Sequence, residues 1–446
     1  MIVDSVLANA KAYFKQAIVD CSIAFNEGRI FKIGRESSMP TADAKFDLKN
    51  RLVFPGLIDA HVHLRDEGKS YKEDFLSGTA AAAAGGMTTV LDMPNNEPVT
   101  MSAEALRNRM KIAEARILVD VGFRSEFPGD VGEIEGIVRE GAVGFKLFMA
   151  NQVGGLEVND DEAMLEAFKA VGKLQVSTCV HAEDEQMLKR AEGELRRRRQ
   201  NDVAAFLKAH SENVELRAVT RVLDMVKQGN VHAHFCHIST QNGLRAIAAG
   251  KKSGMLISCE ATPHHLLLTA DDLKRAGTLG VTVPPVREKQ HAEALWEGIR
   301  NGWVDIVASD HAPHTIGEKE AETVWDVKVG IPGLETTLPL LLTQVKRRRM
   351  SIGDVARLMS EKPAEIFNLK GKGYLREGNN ADLTVVDLRK KFRIDASGFH
   401  SKAKFSPFDG WEVEGKPAKT FVGGQLIMDE GEIIGKPGSG RVVRRQ

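Results

Sequence analysis

The chain has 446 residues, enough to bury a large core and more than one typical domain, although α/β barrels with additions reach this length. Lys+Arg and Asp+Glu both total 61, and the resulting zero formal charge argues against a general nucleic-acid binder or a protein held on an acidic membrane. Cys21, Cys179, Cys236 and Cys259 show neither CxxC spacing nor a disulfide framework, so reduced thiols are expected. No basic N-terminal region leads into an apolar core and cleavage site, and no apolar run is long enough to span a bilayer. A soluble, cytoplasmic protein is expected.

Residues 1–54 read as short strands, with a hairpin formed by Cys21–Phe25, the turn Asn26-Glu27-Gly28 and Arg29–Gly34. From Pro55 the pattern alternates strand and helix. Eight strands are predicted: Leu57–His63, Thr88–Met93, Ile117–Phe123, Val143–Phe148, Gln175–Val180, Val231–His237, Met255–Cys259 and Val304–Ser309. Between them, Ser70–Gly85 carries a run of small residues, and Asp160–Val171, Asn213–Val226 and Gln241–Lys252 have helical apolar spacing. Leu334 onward, Ile352–Met359 and Pro363–Leu369 continue the helical character. After Gly371 the chain is β-like again at Ala381–Asp387 and Thr420–Ile427. The expected architecture is a (β/α)8 TIM barrel over 55–370, with a small composite β domain built from 1–54 and 371–446. A doubly wound open sheet is the alternative, but no Gly-rich phosphate loop follows the first strand. The basic runs Arg196–Arg199 and Lys346–Arg349 read as solvated helix faces, with a docking surface as the other reading.

Barrel active sites lie at the C-terminal ends of the strands. There the sequence places His61 and His63, Asn95 and Asn96, Lys146, His181, His237, the pair His264-His265, and Ser309-Asp310-His311-Ala312-Pro313-His314. Histidines or an aspartate after strands one, five, six and eight point to a convergent metal site rather than to isolated structural histidines. If Leu57–His63 is a strand, His61, His63 and Arg65 share a face, and the guanidinium suits an anionic substrate. Lysine on an apolar strand is commonly snorkelling or ion-paired. Burial, however, disfavours its charge, and a neutral amine can capture carbon dioxide as a carbamate able to bridge two metals.

The strings Pro55–Arg65, Lys72-Glu73-Asp74-Phe75, Ser77-Gly78-Thr79, Gly85–Thr89, Met93–Asn96, Glu260–Leu266, Ser309–His314, Gly333–Thr336 and Phe405–Gly410 resemble the dihydroorotases of the amidohydrolase superfamily nearly end to end. The resemblance implies two zinc ions, one on His61 and His63 and the other on His181 and His237, bridged by carboxylated Lys146. Asp310 would sit beside the metals as general base and acid. Arg65, Asn95 and His314 would hold the substrate next to His63, with backbone around Val329-Gly330 closing over it. The implied reaction is the reversible, zinc-dependent cyclisation of N-carbamoyl-L-aspartate to dihydroorotate in pyrimidine biosynthesis, with a metal-bridging hydroxide as nucleophile in the hydrolytic direction. Homo-oligomers, and association with aspartate transcarbamoylase, are partners that the resemblance leaves open.

Two positions depart from the family pattern. Glu67 stands where proline is common, and Val283 stands where many relatives have asparagine, so only backbone could serve there. The runner-up is another cyclic amidase, such as allantoinase or hydantoinase, which usually lacks Arg65 and the Met-Pro-Asn pattern. A non-catalytic homologue is a third reading. It is opposed by the presence of every ligand and of Asp310.

Overall fold

The computed structural model describes residues 2–445. The N-terminal portion forms β1 (Ile2–Phe14), β2 (Ala17–Asn26), β3 (Arg29–Gly34), β4 (Thr41–Asp47) and β5 (Leu52–Pro55). β1 is longer than the short strands expected, because it serves three partners: it pairs antiparallel with β2 and parallel with β4 and β5. Its register with β2 shifts between Leu7 and Ala10, and Leu7, Ala10 and Ala12 all join the core of this layer.

Eight parallel strands then build the barrel: β6 (Leu57–Val62), β7 (Met87–Asp92), β8 (Asp120–Glu126), β9 (Gly144–Phe148), β10 (Ser177–His181), β11 (His232–Phe235), β12 (Ile257–Ala261) and β13 (Ile306–Val307). They are hydrogen-bonded in chain order, as a β/α barrel requires. Closure between the first and last strands is a bridge, with His63 N–H donating to His311 O at 2.8 Å and Val62 paired to His311. The expected TIM barrel is therefore present. All eight strands lie within three residues of their predicted limits, and two of the departures have a clear local cause. β8 starts three residues late because the apolar run Ile117-Leu118-Val119 is buried connection rather than strand. β13 has only two paired residues, with the chain bending at Asp310, where φ is +49°.

Small residues let helix Phe75–Ala84 sit close on the barrel. A Cβ on Gly78 would come within 2.5 Å of Leu64 Cδ2. The helix starts on a reciprocal cap between Asp74 and Ser77, so the segment from Ser70 to Asp74 is not helical and is free to form the barrel rim.

After the barrel come β14 (Leu383–Arg393), β15 (Glu412–Val422), β16 (Gln425–Asp429) and β17 (Glu432–Ile433), which extend the sheet of β1–β5 through β5–β14 pairing. The predicted Thr420–Ile427 segment is in fact the turn of the β15–β16 hairpin, reversing at Gly423-Gly424, both at positive φ. Buried Lys372 fastens the two layers, donating at 2.7 Å to Asp120 of β8 and at 2.7 Å to Asp382 before β14. Division into a barrel (55–370) and a composite β domain (1–54 with 371–446) is our proposal. The tail strand β18 (Val442–Val443) lies on the barrel side of it, parallel to β8.

None of the described helices is long and apolar enough to cross a membrane. All four cysteines are free, with Cys179, Cys236 and Cys259 buried. The basic runs carry local ion pairs: Arg196 with Glu192 at 2.6 Å, Lys346 with Glu414 at 3.2 Å and Arg349 with Glu293 at 3.0 Å.

Candidate active site and metal centre

A cavity of about 350 Å3 opens at the C-terminal ends of the barrel strands. His61, His63, Arg65, Asn95, His181, His237, Asp310, His314, Val329 and Gly330 all line it. Of the residues to which the resemblance gave a role, Lys146 alone does not. It is fully buried on β9, with Nζ 3.2 Å from Cys236 Sγ and 4.8 Å from the centre of the Phe148 ring. Arg65 does not share a strand face with the two histidines. β6 stops at Val62, and Arg65 reaches the cavity through a left-handed turn at φ +64°. His237 and Asp310 also have positive φ, +33° and +49°. Three non-glycine residues in that sparsely populated region at one barrel mouth mark a functional site.

Each imidazole turns one nitrogen inward. His61 Nε2 and His63 Nε2 lie 3.2 and 3.3 Å from Asp310 Oδ1, and His181 Nδ1 lies 3.2 Å from His237 Nε2. The outward nitrogen of three of them has an oxygen acceptor. His61 Nδ1 meets Glu260, His63 Nδ1 meets Asn95 Oδ1 at 2.7 Å, and His181 Nε2 meets Glu183 at 3.0 Å. An N–H on each outward nitrogen leaves the inward one with a lone pair. Burial holds His61 down to about 4 and, with Arg65, holds His63 well below the usual range, so both are neutral. His237 is likewise held well down by burial and by His181.

These residues fit divalent metal. Neutral imidazoles with second nitrogens anchored on oxygen acceptors are the form in which histidine ligates. The 3.2 Å His181–His237 separation matches two ligands of one tetrahedral zinc, about 3.3 Å apart at ordinary Zn–N lengths. His61, His63 and Asp310 offer a second group of mutually close ligand atoms.

Of the supporting carboxylates, Glu260 stood in a sequence motif without a role and Glu183 was not singled out. Glu260 accepts from His61 Nδ1, from His234 Nε2 at 3.1 Å and from the His237 N–H at 3.1 Å. Burial pushes Glu183 up, but His210 and His181 more than reverse this and keep it a carboxylate. His265 is structural: it bonds Thr262 Oγ1 at 2.8 Å and Pro284 O at 3.1 Å and does not line the cavity. His311 faces Glu73 at 3.3 Å, away from the cavity. Glu67 is also off the lining, whereas Val283 contributes an apolar wall.

Sequence patterns did not single out the cations Lys69 and Lys328, which also line the cavity, and Lys72 was quoted only as part of a motif. Nor did they reveal Lys319. This side chain is fully buried and donates to the carbonyls of Val281 at 3.0 Å, Lys328 at 3.1 Å and Gly330 at 2.9 Å. Burial lowers it to about 7. Gly330 N–H is itself bonded to Val281 O, and Lys328 N–H to Glu318 O. Lys319→Met is expected to orphan three carbonyls and lower stability by about 3 kcal/mol, read as a shifted urea midpoint at unchanged slope. An unshifted midpoint would show that water replaces the ammonium.

The amidohydrolase family model matches residues 52–427. The chain belongs to the amidohydrolase family. It is 38% identical over 427 residues to a dihydroorotase of Methanothermobacter thermautotrophicus, covering 95% of this chain and 94% of that one. A dihydroorotase of Pyrococcus horikoshii is 37% identical, covering 97% and 94%. An L-hydantoinase of Paenarthrobacter aurescens is 33% identical, covering 99% and 98%. The solved L-hydantoinase from Arthrobacter aurescens superposes with TM-score 0.96 at 32% identity, covering 99% of this chain and all of that one. This amidohydrolase is thus a hydrolase enzyme with full-length relatives of both names.

Proposed function

We propose that the protein is a dihydroorotase that interconverts dihydroorotate and N-carbamoyl-L-aspartate, with two zinc ions at the barrel mouth. The observation that carries this reading is Arg65. Its guanidinium is buried, its Nε has no hydrogen-bond partner, and it is ion-paired to no carboxylate among the described residues. Its Nη2 lies 3.2 Å from His314 Nε2. Burial lowers it to about 10, leaving it charged at neutral pH. A buried cation with no direct ion pair and an orphaned donor beside the cavity suits a substrate that brings its own carboxylate, even with Asp310 and Asp92 acting on it at longer range. Asn95 fits the same role. Its Oδ1 is occupied by His63, so its amide nitrogen is the end left for the substrate.

In this reading His61 and His63 would hold one zinc and His181 and His237 the other, with Asp310 beside both. Bound metal would lower the pKa of the attacking water and polarise the ring carbonyl. Arg65, Asn95 and His314 orient the ring through its carboxylate. Val329, whose peptide groups are not engaged by the neighbouring backbone, faces the ring. Asp310 takes the proton of the attacking water and returns it to the departing ring nitrogen.

Carboxylation of Lys146 belongs to the same proposal. Its support is a fully buried amine whose nearest recorded partners are a thiol and a phenyl ring, with no carboxylate in ion-pair contact among the described residues. Lys146→Ala is expected to lower zinc content by at least half, with partial recovery in short carboxylates. Unchanged zinc by elemental analysis would count against the bridge. Cytoplasmic location and any assembly with aspartate transcarbamoylase stay part of the proposal.

A hydantoinase is the second reading, favoured by the whole-chain match to L-hydantoinase. The zinc-loaded protein should be given dihydroorotate, hydantoin and allantoin in parallel. Turnover of dihydroorotate well above the others is expected; turnover of hydantoin alone would overturn the assignment.

A further inference from the structure

His314 sits between cations at both ring nitrogens. Arg65 Nη2 is 3.2 Å from Nε2, and Lys72 Nζ is 3.2 Å from Nδ1. Burial, then Arg65 and Lys72, hold this imidazole well below the usual histidine range. It is therefore neutral, with one N–H and one lone pair, and accepts from only one of the two cations. Glu318 is the third partner. Its Oε2 lies 3.3 Å from Nδ1, and its Oε1 takes Lys72 Nζ at 2.7 Å. Glu318 is itself held, accepting from Thr315 N–H at 3.1 Å and from Tyr71 OH at 3.2 Å.

Nδ1 thus has a donor and an acceptor beside it, and either tautomer finds a partner there. With the proton on Nδ1, His314 donates to Glu318, and Nε2 accepts from Arg65. With the proton on Nε2, Nδ1 accepts from Lys72. Nε2–H and Arg65 Nη2 then face one another as two donors, next to the unpartnered Arg65 Nε. The Val329 carbonyl is a further acceptor near the ring. A carboxylate oxygen entering between His314 and Arg65 would answer these donors together.

We propose that Lys72 and Glu318 form a tautomer selector for His314: Glu318 holds the resting Nδ1–H form, and Lys72 stabilises the Nε2–H form that binds a substrate carboxylate. The ring keeps the same number of protons, exchanging one with water at each nitrogen. Lys72 is then a positioning residue that acts through His314 on affinity and leaves the ring-opening chemistry alone. This rests on the reading of Arg65 and His314 as the carboxylate site.

The test uses the zinc-loaded full chain. Lys72→Met is expected to raise KM for dihydroorotate about tenfold with kcat within about twofold, since one hydrogen bond to the substrate is weakened. An unchanged KM, or an equal loss in kcat and kcat/KM, would overturn it. A second readout does not depend on turnover. In 15N-histidine spectra, with His314 assigned through His314→Asn, adding dihydroorotate should convert Nδ1–H to Nε2–H in the wild type and not in Lys72→Met. A carboxylate that binds without changing the tautomer would overturn the selector. Failure of dihydroorotate to bind the wild type at all would instead overturn the underlying substrate reading. Succinate, as a simple carboxylate probe, would then test the selector by the same spectra.

Discussion

Asp310→Asn is expected to keep the fold and zinc content near wild type while lowering kcat for dihydroorotate by about 10³-fold. The amide is nearly isosteric with the carboxylate, so the 3.2 and 3.3 Å approaches of His61 and His63 need not change. An amide cannot carry the water proton to the ring nitrogen, and among the described residues no other carboxylate lines the cavity. KM should move little, because Asp310 is not among the residues proposed to grip the carboxylate. Steady-state kinetics with zinc measured on the same sample checks this. A variant with near-wild-type kcat would remove Asp310 from the proton path.

Arg65→Met should act on the other term. Removing a buried cation that pairs with a substrate carboxylate costs about 3 kcal/mol, or more than 10²-fold in kcat/KM for dihydroorotate. The loss should fall mainly on KM. Any rate with hydantoin, which lacks the carboxylate, should be unchanged or improved, since the empty site no longer buries an unpaired charge. The variant should also be no less stable than the wild type: Arg65 has no carboxylate ion pair to lose, and its Nε bonds nothing. Equal losses on dihydroorotate and hydantoin would mean that Arg65 supports the cavity wall and does not read the substrate.

The barrel was legible because its strands are short apolar runs punctuated by turns, and all eight lie within three residues of their expected limits at both ends. The most shifted strand, β8, shows what was not legible. Asp120, Arg124 and Glu126 are polar yet buried, so hydropathy favoured the neighbouring apolar Ile117–Val119. The contacts of Asp120 with Lys372, 252 positions away, and with the Arg441 N–H at 2.8 Å make a charged residue acceptable at the start of a barrel strand. The hairpin at Gly423-Gly424 was missed for a simpler reason: its two flanking strands read as one β-like run.

The candidate ligands were legible because each falls at a strand end, where a β/α barrel gathers side chains whatever their separation in the chain. The side chains that orient them were not. Glu260 reaches His61 across 199 positions, and nothing local to either residue announces the pairing. The same holds for the cationic end of the cavity. Glu318 is only four positions from His314, but Lys72 meets it across 242 positions, because the rim segment before helix Phe75–Ala84 folds beside the chain that follows the last barrel strand.

By itself, then, the amino-acid sequence determined the barrel, the family and the set of metal-competent and charged residues, since these follow from local apolar periodicity and from short motifs. Tertiary structure alone decided which nitrogen of each histidine faces inward, that Arg65 arrives by a left-handed turn without a counter-ion, and that Lys146 lies behind the cavity wall against Cys236. Tautomer, charge pairing and burial are properties of neighbours distant in the chain, and those neighbours exist only once the barrel closes.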